Sequence, residues 1–261
     1  MCGIAGFFDT SGHEISPSVL RDMANVIRHR GPDDEGYVLI NQRTGYRKAF
    51  SGADSPADIR ETLPGFDNSA FTQPINIGLA HRRFSIIDLS SGGHQPFIDR
   101  ENTCCVVFNG EIYNYLELRE TLEQLGVAFQ TRSDTEVLVE AYKAWGPDCF
   151  SRFNGFWAVA LYDFRARRLV LSRDRLGKRP LYWTRIASRI YFASEIKSLL
   201  QVPEVAARKS VNEDAIWHWC VDGLRDLDGQ TFFKDIRNFP AGSWSVVDES
   251  FPARTQTFWS V

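Results

Sequence analysis

The chain opens Met1-Cys2-Gly3, with a cysteine in second position. Because Cys2 is small, the initiator methionine can be trimmed, and one residue would then carry both a thiol and a free α-amine. The ordinary pKa is about 8.5 for the thiol and about 7.7–8.0 for the amine, so the amine can serve as an internal general base near neutral pH. A Met-Cys start is weak by itself, since inert cysteines are common there. Asn109-Gly110-Glu111 follows an apolar run that reads as a buried strand and precedes a helix. An amide side chain and backbone N–H groups at a strand end are suitable donors to the oxyanion that forms on an attacked amide carbon. A free amino acid substrate also needs a cation for its carboxylate and anions for its ammonium. Arg83 can clamp the first, and Glu111 or Asp134 can offset the second. Each has a plainer reading as a surface ion pair or, for Asp134, as the N-cap of the helix behind it.

These groups must be positioned by the elements around them. Residues 2–8 are small and apolar and end at Asp9, Ser11 and Gly12, which predicts a strand built in from the terminus. Ser16-Pro17 opens a helix expected to run to about Arg28, and Gly36–Ile40 reads as a short strand. From about 43 to 73 the chain is polar, interrupted by Gly45, Gly52, Pro56, Pro64 and Gly65, and lacks a clear period. It is longer than the roughly 12–15 residues of ordinary loops, so a mobile insertion is expected. Strand-like runs resume at Ile77–Ala80, Phe84–Ile87 and Cys104–Phe108. A helix over Tyr113–Leu125 carries Leu118, Leu122 and Leu125 on one stripe, and another follows Asp134 to near Trp145. Short strands are predicted at Trp157–Tyr162, Leu169–Leu171, Leu181–Trp183 and Ile190–Phe192. Beyond a soft boundary near residue 205 come a helix at Asn212–Trp219 and a strand at Ser243–Val247. The order predicts a layered α+β architecture with antiparallel sheets rather than a doubly wound parallel sheet.

Several ordered motifs extend this picture: Cys2-Gly3-Ile4-Ala5-Gly6, Arg28-His29-Arg30-Gly31-Pro32-Asp33, Leu79-Ala80-His81-Arg82-Arg83-Phe84-Ser85-Ile86-Ile87-Asp88 and Gly93-His94-Gln95-Pro96. Phe108-Asn109-Gly110-Glu111-Ile112-Tyr113-Asn114, Ser133-Asp134-Thr135-Glu136, the run from Arg173 to Tyr182 and Ala193-Ser194-Glu195-Ile196-Lys197 follow. Over residues 1 to about 200, apart from the insertion, the chain resembles the N-terminal class II glutamine amidotransferase domain of the asparagine synthetase (glutamine-hydrolysing) family, a group of N-terminal-nucleophile hydrolases. The resemblance implies a four-layer αββα sandwich of two antiparallel sheets. It implies Cys2 as nucleophile, Asn109 and the Gly110 N–H as oxyanion hole, Arg83 on the glutamine carboxylate, and Glu111 and Asp134 on its ammonium group. Glutamine would be hydrolysed through a thioester. The ammonia would pass to a C-terminal ATP-dependent domain or a separate synthetase partner, to attack an acyl-adenylate classically derived from aspartate. ATP and Mg are expected only for that synthetase domain, with no cofactor or metal in this chain. A cytoplasmic homodimer is the family habit.

The chain departs from the family pattern in places. Residues 1–205 would form the amidotransferase domain and residues 206–261 a segment leading into a missing synthetase domain. Phe232–Gly242 and Thr257-Phe258-Trp259 resemble that lead-in. The insertion leaves the acceptor open, so amidation of a sugar or surface-polysaccharide precursor is an alternative, and an inactive interaction module of the same fold is another. Ser90-Ser91-Gly92-Gly93-His94 is like a pyrophosphate loop but lacks the following Asp-Ser. Arg30 is expected to support the catalytic terminus, and Arg173-Asp174 to hold a sheet end. A retained Met1 would block the amine of Cys2.

Composition sets outer bounds. The 261 residues are 43% hydrophobic with nineteen Phe and seven Trp, ample for a large core. A net charge of -3 supplies no global field for nucleic acid or an anionic membrane. Five cysteines and five histidines show no metal-like spacing, as in a reduced cytosolic protein without structural zinc. Cys104 and Cys105 adjoin in a strand and should point to opposite faces.

Overall fold

A computed structural model describes residues 1–67, 71, 73–86, 90–223 and 228–260. The first half runs β1 (Gly3–Asp9), α1 (Pro17–Asn25), β2 (Asp34–Asn41), β3 (Tyr46–Ser51), α2 (Ala57–Thr62) and β4 (Ile77–Arg83). It continues with β5 (Phe97–Ile98), β6 (Cys104–Ile112), α3 (Tyr115–Gln124), α4 (Asp134–Trp145), α5 (Cys149–Arg152), β7 (Gly155–Asp163) and β8 (Arg168–Arg173). The remainder is β9 (Tyr182–Ile186), β10 (Arg189–Ala193), α6 (Ile196–Leu199), α7 (Pro203–Ala207), α8 (Glu213–Asp222), β11 (Ile236–Asn238), β12 (Ser243–Val247) and β13 (Gln256–Thr257).

The strands form a seven-stranded sheet in the order β11-β9-β10-β1-β4-β2-β3 and a six-stranded sheet in the order β13-β12-β8-β7-β6-β5. Every strand pairing is antiparallel, as expected for sheets joined by hairpins and short crossovers. Strand alternation sorts the side chains into layers. Ile4 and Phe8 of β1 and Ile77 and Leu79 of β4 meet Cys105 and Val107 of β6 and Ala158 of β7 between the sheets. Ala5 and Phe7 turn outward to Leu20 and Met23 of α1. Cys104, Val106 and Phe108 turn outward to Leu118 of α3 and Val137 of α4. The architecture is the expected four-layer αββα sandwich, and Cys104 and Cys105 do face opposite ways.

Several local expectations change. The stretch from 43 to 73 is built into the fold as far as it is described; residues 68–70 and 72 lie outside the described residues. β3 pairs along β2, α2 follows, and Phe50, Phe66 and Phe71 pack edge-on and tilted into one aromatic cluster. The strand is masked in the sequence because polar residues interrupt it: Arg47 and Lys48 are exposed, and the ammonium of Lys48 lies over the Phe50 ring. No strand forms at Phe84–Ser85-Ile86, because the preceding strand runs on to Arg83; the expected end at Ile87, with Asp88, lies outside the described residues. Leu125 caps α3 and is exposed rather than buried with Leu118 and Leu122. Ser133, not Asp134, caps α4, its hydroxyl accepting from Thr135 N–H, and Asp134 is the first helical residue. Beyond residue 205, β11 joins β9 in one sheet and β12 joins β8 in the other, so described strands of the tail extend both sheets.

A buried polar knot ties α1 to the sheet. Arg82 is almost fully buried and pairs with Glu35 and, at 2.7 Å, with Asp54; its Nε donates to the Ala24 carbonyl at 3.2 Å. Removing one member of such a set strands an uncompensated charge, so Arg82→Leu is expected to cost about 3–5 kcal/mol. Urea unfolding checks this, and a loss below about 1 kcal/mol would show the knot to be dispensable.

No described helix is long and apolar enough to cross a membrane. Among the described residues no cluster of three or more His, Cys, Asp or Glu side chains could hold a metal ion.

Candidate active site

Alternation also explains how distant residues converge. Cys2 has the parity of Ile4 and Phe8, Arg83 that of Ile77 and Leu79, and Asn109 and Glu111 that of Cys105 and Val107, all on inner faces. The β1–β4 register pairs Gly3 with Arg82, so one step further sets Cys2 beside Arg83. At this end the apolar inter-sheet core gives way to polar side chains. Cys2, Arg83, Phe84, Gln95, Glu111 and Asp134 line one pocket there.

Cys2 is held by backbone. Phe84 N–H donates to its Sγ at 3.3 Å, and the thiol contacts the Phe84 carbonyl at 3.6 Å. The Nε of Arg30 donates to the Cys2 carbonyl at 2.9 Å. Burial pushes the Cys2 thiol up; the Phe84 backbone bond, the terminal ammonium, Arg83 and Arg179 pull it down without cancelling the rise. Gly31 lets the turn carrying Arg30 lie directly on β4, where a Cβ would meet the Arg82 carbonyl at 2.4 Å. Arg83 is buried, and its Nη1 donates to Ser90 O at 3.1 Å.

Asn109 and Gly110 sit within β6 rather than beyond its end. Phe108 N–H donates to Gln95 Oε1 at 2.7 Å and Ile112 N–H to Asp134 Oδ2 at 3.0 Å, so even-numbered N–H groups point away from β7. The Gly110 N–H therefore lies on this same open edge, between the two. Gly110 itself must be glycine, since a Cβ would meet Phe156 O at 2.2 Å. Asn109 is buried, and its Nδ2 has no hydrogen-bond partner among the described residues. A buried amide donor without a partner costs about 1–3 kcal/mol, a cost that a bound acceptor would remove. His81 braces this strand: its Nε2 lies 3.1 Å from Phe108 O, and burial pushes the imidazole down to about 3, so it stays neutral. Asp134 is buried beside the half-buried Glu111; burial first, and then Glu111, push its carboxyl up to about 6 against the Ile112 N–H bond.

The structure thus gathers Cys2, Arg83, Glu111 and Asp134 around one pocket, with Asn109 and Gly110 on the strand that carries Glu111. The site also recruits residues that sequence reasoning did not single out. Phe84 supplies backbone to the thiol. Gln95 bridges Phe108 N–H and, at 3.3 Å, Thr135 Oγ1, locking β6 to the start of α4. Glu195 reaches Arg30 Nη1 at 3.1 Å. Gln95 and Glu195 stand inside motifs noted from the sequence, but only contacts reveal what they hold. Arg173 and Asp174 sit at the end of β8 and bond to the surrounding backbone. Arg173 donates to the carbonyls of Gly177, Arg179 and Phe239, while Asp174 accepts from Trp157, Leu176, Lys178 and Arg179 N–H groups. Ser90–His94 forms a single 3-10 turn with Gly93 on the pocket rim.

A family model described as "Glutamine amidotransferase domain" matches residues 59–259. The chain is 35% identical over 231 residues to a putative glutamine-hydrolysing asparagine synthetase 2 of Methanocaldococcus jannaschii, covering 83% of this chain and 38% of that protein. It is 31% identical over 267 residues to the asparagine synthetase 2 of Bacillus subtilis, covering 100% of this chain and 31% of that one. It is 30% identical over 278 residues to the amidase chry2 of Gibberella zeae, covering 100% of this chain and 34% of the amidase. The chain therefore spans about a third of the length of these relatives. In fold it is similar to the glutamine phosphoribosylpyrophosphate amidotransferase of B. subtilis, with a TM-score of 0.66 at 19% identity over 100% of this chain and 50% of the other. A structure described as the allosteric regulatory enzyme of purine biosynthesis gives a TM-score of 0.69 at 20% identity, over 100% of this chain and 50% of that one.

Proposed function

Since the chain belongs to the glutamine amidotransferase domain family, we propose that it hydrolyses glutamine to glutamate and ammonia through a thioester on Cys2, once Met1 has been removed. The observation that carries this reading is the placement of the Cys2 thiol on the Phe84 backbone beside Arg83, at the mouth of the pocket that Glu111 and Asp134 close. Removing Met1 moves the terminal amine onto Cys2 itself. That amine takes the thiol proton, and the sulfur attacks the side-chain amide carbon of glutamine. Asn109 Nδ2 and the Gly110 N–H receive the oxyanion. The protonated amine then gives its proton to the departing nitrogen as ammonia leaves. Water, deprotonated by the same amine, cleaves the thioester to glutamate. Arg83 holds the α-carboxylate of glutamine, and Glu111 with Asp134 holds its α-ammonium.

We further propose that the ammonia serves an ATP-dependent synthetase domain or partner of the asparagine synthetase kind. Support comes from the relatives, which run well beyond the stretch that this chain matches. ATP and Mg would be used only there.

The reading is tested by assaying glutamate release alongside intact mass of the purified chain. Release that tracks the Met1-free fraction supports it; equal release from chain retaining Met1 overturns it.

Asp134 gives the mechanism a pH signature. Its carboxyl is pushed up to about 6, so it is neutral below that pH and can no longer offset the substrate ammonium. The amine base, with an ordinary pKa of about 7.7–8.0, already lowers kcat/KM by about tenfold per pH unit on the acid side. Below about pH 6 the loss should steepen to about a hundredfold per unit as the second group protonates. In Asp134→Asn the steepening disappears and KM for glutamine is high at every pH. An unchanged profile in that variant would remove Asp134 from substrate binding. For stability the sign is opposite: a raised acid binds more protons folded than unfolded, so its contribution falls as pH rises from about 4 to 6.

A further inference from the structure

The motif Ser194-Glu195-Ile196-Lys197 lies outside the pocket, yet its first two residues grip the catalytic terminus. Ser194 follows β10 and takes both polar groups of Ile4: Ile4 N–H donates to Ser194 Oγ at 3.0 Å, and Ser194 N–H donates to Ile4 O at 2.9 Å. Glu195 Oε1 then accepts from Arg30 Nη1 at 3.1 Å, and the Nε of the same guanidinium donates to the Cys2 carbonyl at 2.9 Å. His29 Nε2 meets the same Glu195 oxygen at 2.8 Å, and Lys197 Nζ holds the other at 3.1 Å. Burial alone would raise the Glu195 carboxyl, but bonds from Arg30, Lys197 and His29 keep it below its usual value.

This chain of contacts has a specific job at a strand end. β1 begins at Gly3, so Cys2 lies outside the ladder. Once Met1 is gone, Cys2 hangs on one peptide bond, and rotation of that peptide plane about the Gly3 N–Cα bond would swing Cys2, with its amine and thiol, as a unit. The Arg30 bond holds the carbonyl in that plane and opposes the swing. The Arg30 head is itself buried, and its Nη2 has no partner among the described residues. Its orientation therefore rests on Glu195 at one end and on the Cys2 carbonyl at the other.

We propose that Glu195 is a positioning residue for the glutaminase reaction, fixing the amine and thiol of Cys2 through Arg30. It makes no contact with the substrate. The proposal rests on the reading of Cys2 as nucleophile given above.

The test is steady-state kinetics on the full chain with Met1 removed, for Glu195→Gln, Glu195→Ala, Arg30→Ala and the Arg30→Ala/Glu195→Ala double variant, with thermal melts and with Cys2→Ala as reference. Misplacing a reacting group by about an ångström costs up to a hundredfold, so kcat is expected to fall about 10- to 100-fold in both Glu195 variants. KM should stay within about threefold, because Arg83, Glu111 and Asp134 are untouched. The double variant should be no slower than Arg30→Ala alone, the mark of two residues acting in series. Alkylation of Cys2 by iodoacetamide should slow in parallel with kcat. A Glu195→Ala chain with wild-type kcat overturns the proposal even if its melting temperature drops, since that is what a purely structural ion pair would do. Additive losses in the double variant overturn it as well. Activity that survives in Cys2→Ala overturns the underlying reading instead, whatever the Glu195 variants do.

Discussion

Cys2→Ala is expected to abolish glutamate release, lowering kcat by at least about 10⁴-fold, the scale seen when a covalent nucleophile is deleted. No other cysteine can take over. Cys104, Cys105 and Cys149 are buried, and burial pushes the thiol of Cys104 up to about 12 and those of Cys105 and Cys149 well above the ordinary range. A thiol that cannot ionise cannot attack. Cys220 is exposed, but it lies on α8, away from the residues that line the pocket. The substitution should leave the fold intact, because the sulfur is only part-buried and its contacts are with one backbone unit. A cooperative melt close to wild type together with absent activity is therefore the expected pair of results. Glutamate release above a thousandth of the wild-type rate would show that sulfur chemistry at position 2 is not the route.

Asn109→Ala is expected to lower kcat about 10²- to 10³-fold, the usual effect of losing one oxyanion donor. Its effect on stability should have the opposite character to that of most buried polar deletions. The Asn109 Nδ2 has no hydrogen-bond partner among the described residues, so removing it leaves no protein group stranded. The melting temperature should therefore change little, apart from the small cavity left by the amide. KM should move far less than kcat, because the donor acts on charge that develops only in the transition state. Asn109→Asp should be at least as slow, since a carboxylate cannot donate to an oxyanion and would repel it. A large drop in melting temperature with unchanged kcat per folded molecule would make Asn109 a structural residue. The same logic separates Asn109 from His81, whose contact with the Phe108 carbonyl braces the strand.

Much of this site was legible from residue types in order. A strand starting at the terminus and a helix behind Asp134 are local signals that appear where expected, whereas Asn109-Gly110 stands within β6 rather than at its end. The less legible parts share a cause. β3 does not announce itself because Arg47 and Lys48 are exposed and polar, and what holds it is its pairing with β2 and the Phe50, Phe66 and Phe71 cluster. Ser133 and Asp134 are both good caps by type; Ser133 takes the cap while the Asp134 carboxylate accepts from the Ile112 N–H across the layer. Gln95 stands in the Gly93–Pro96 motif with nothing in its neighbours to mark a role, yet its side chain joins β6 to α4.

The sequence by itself determined that Cys2 could carry its own base, that Arg83, Asn109, Glu111 and Asp134 had suitable chemistry, and that antiparallel strands would present them. Those are properties of residue type, spacing and two-residue alternation, which act over a few positions. Only the tertiary structure decided that these side chains share an inner face at one end of the sandwich. It also decided that the Gly110 N–H points along an open strand edge, and that Glu195 meets Arg30 across 165 residues of chain and through it holds Cys2. Such pairings depend on register between strands and on which surfaces pack, and neither is written in any local stretch of sequence.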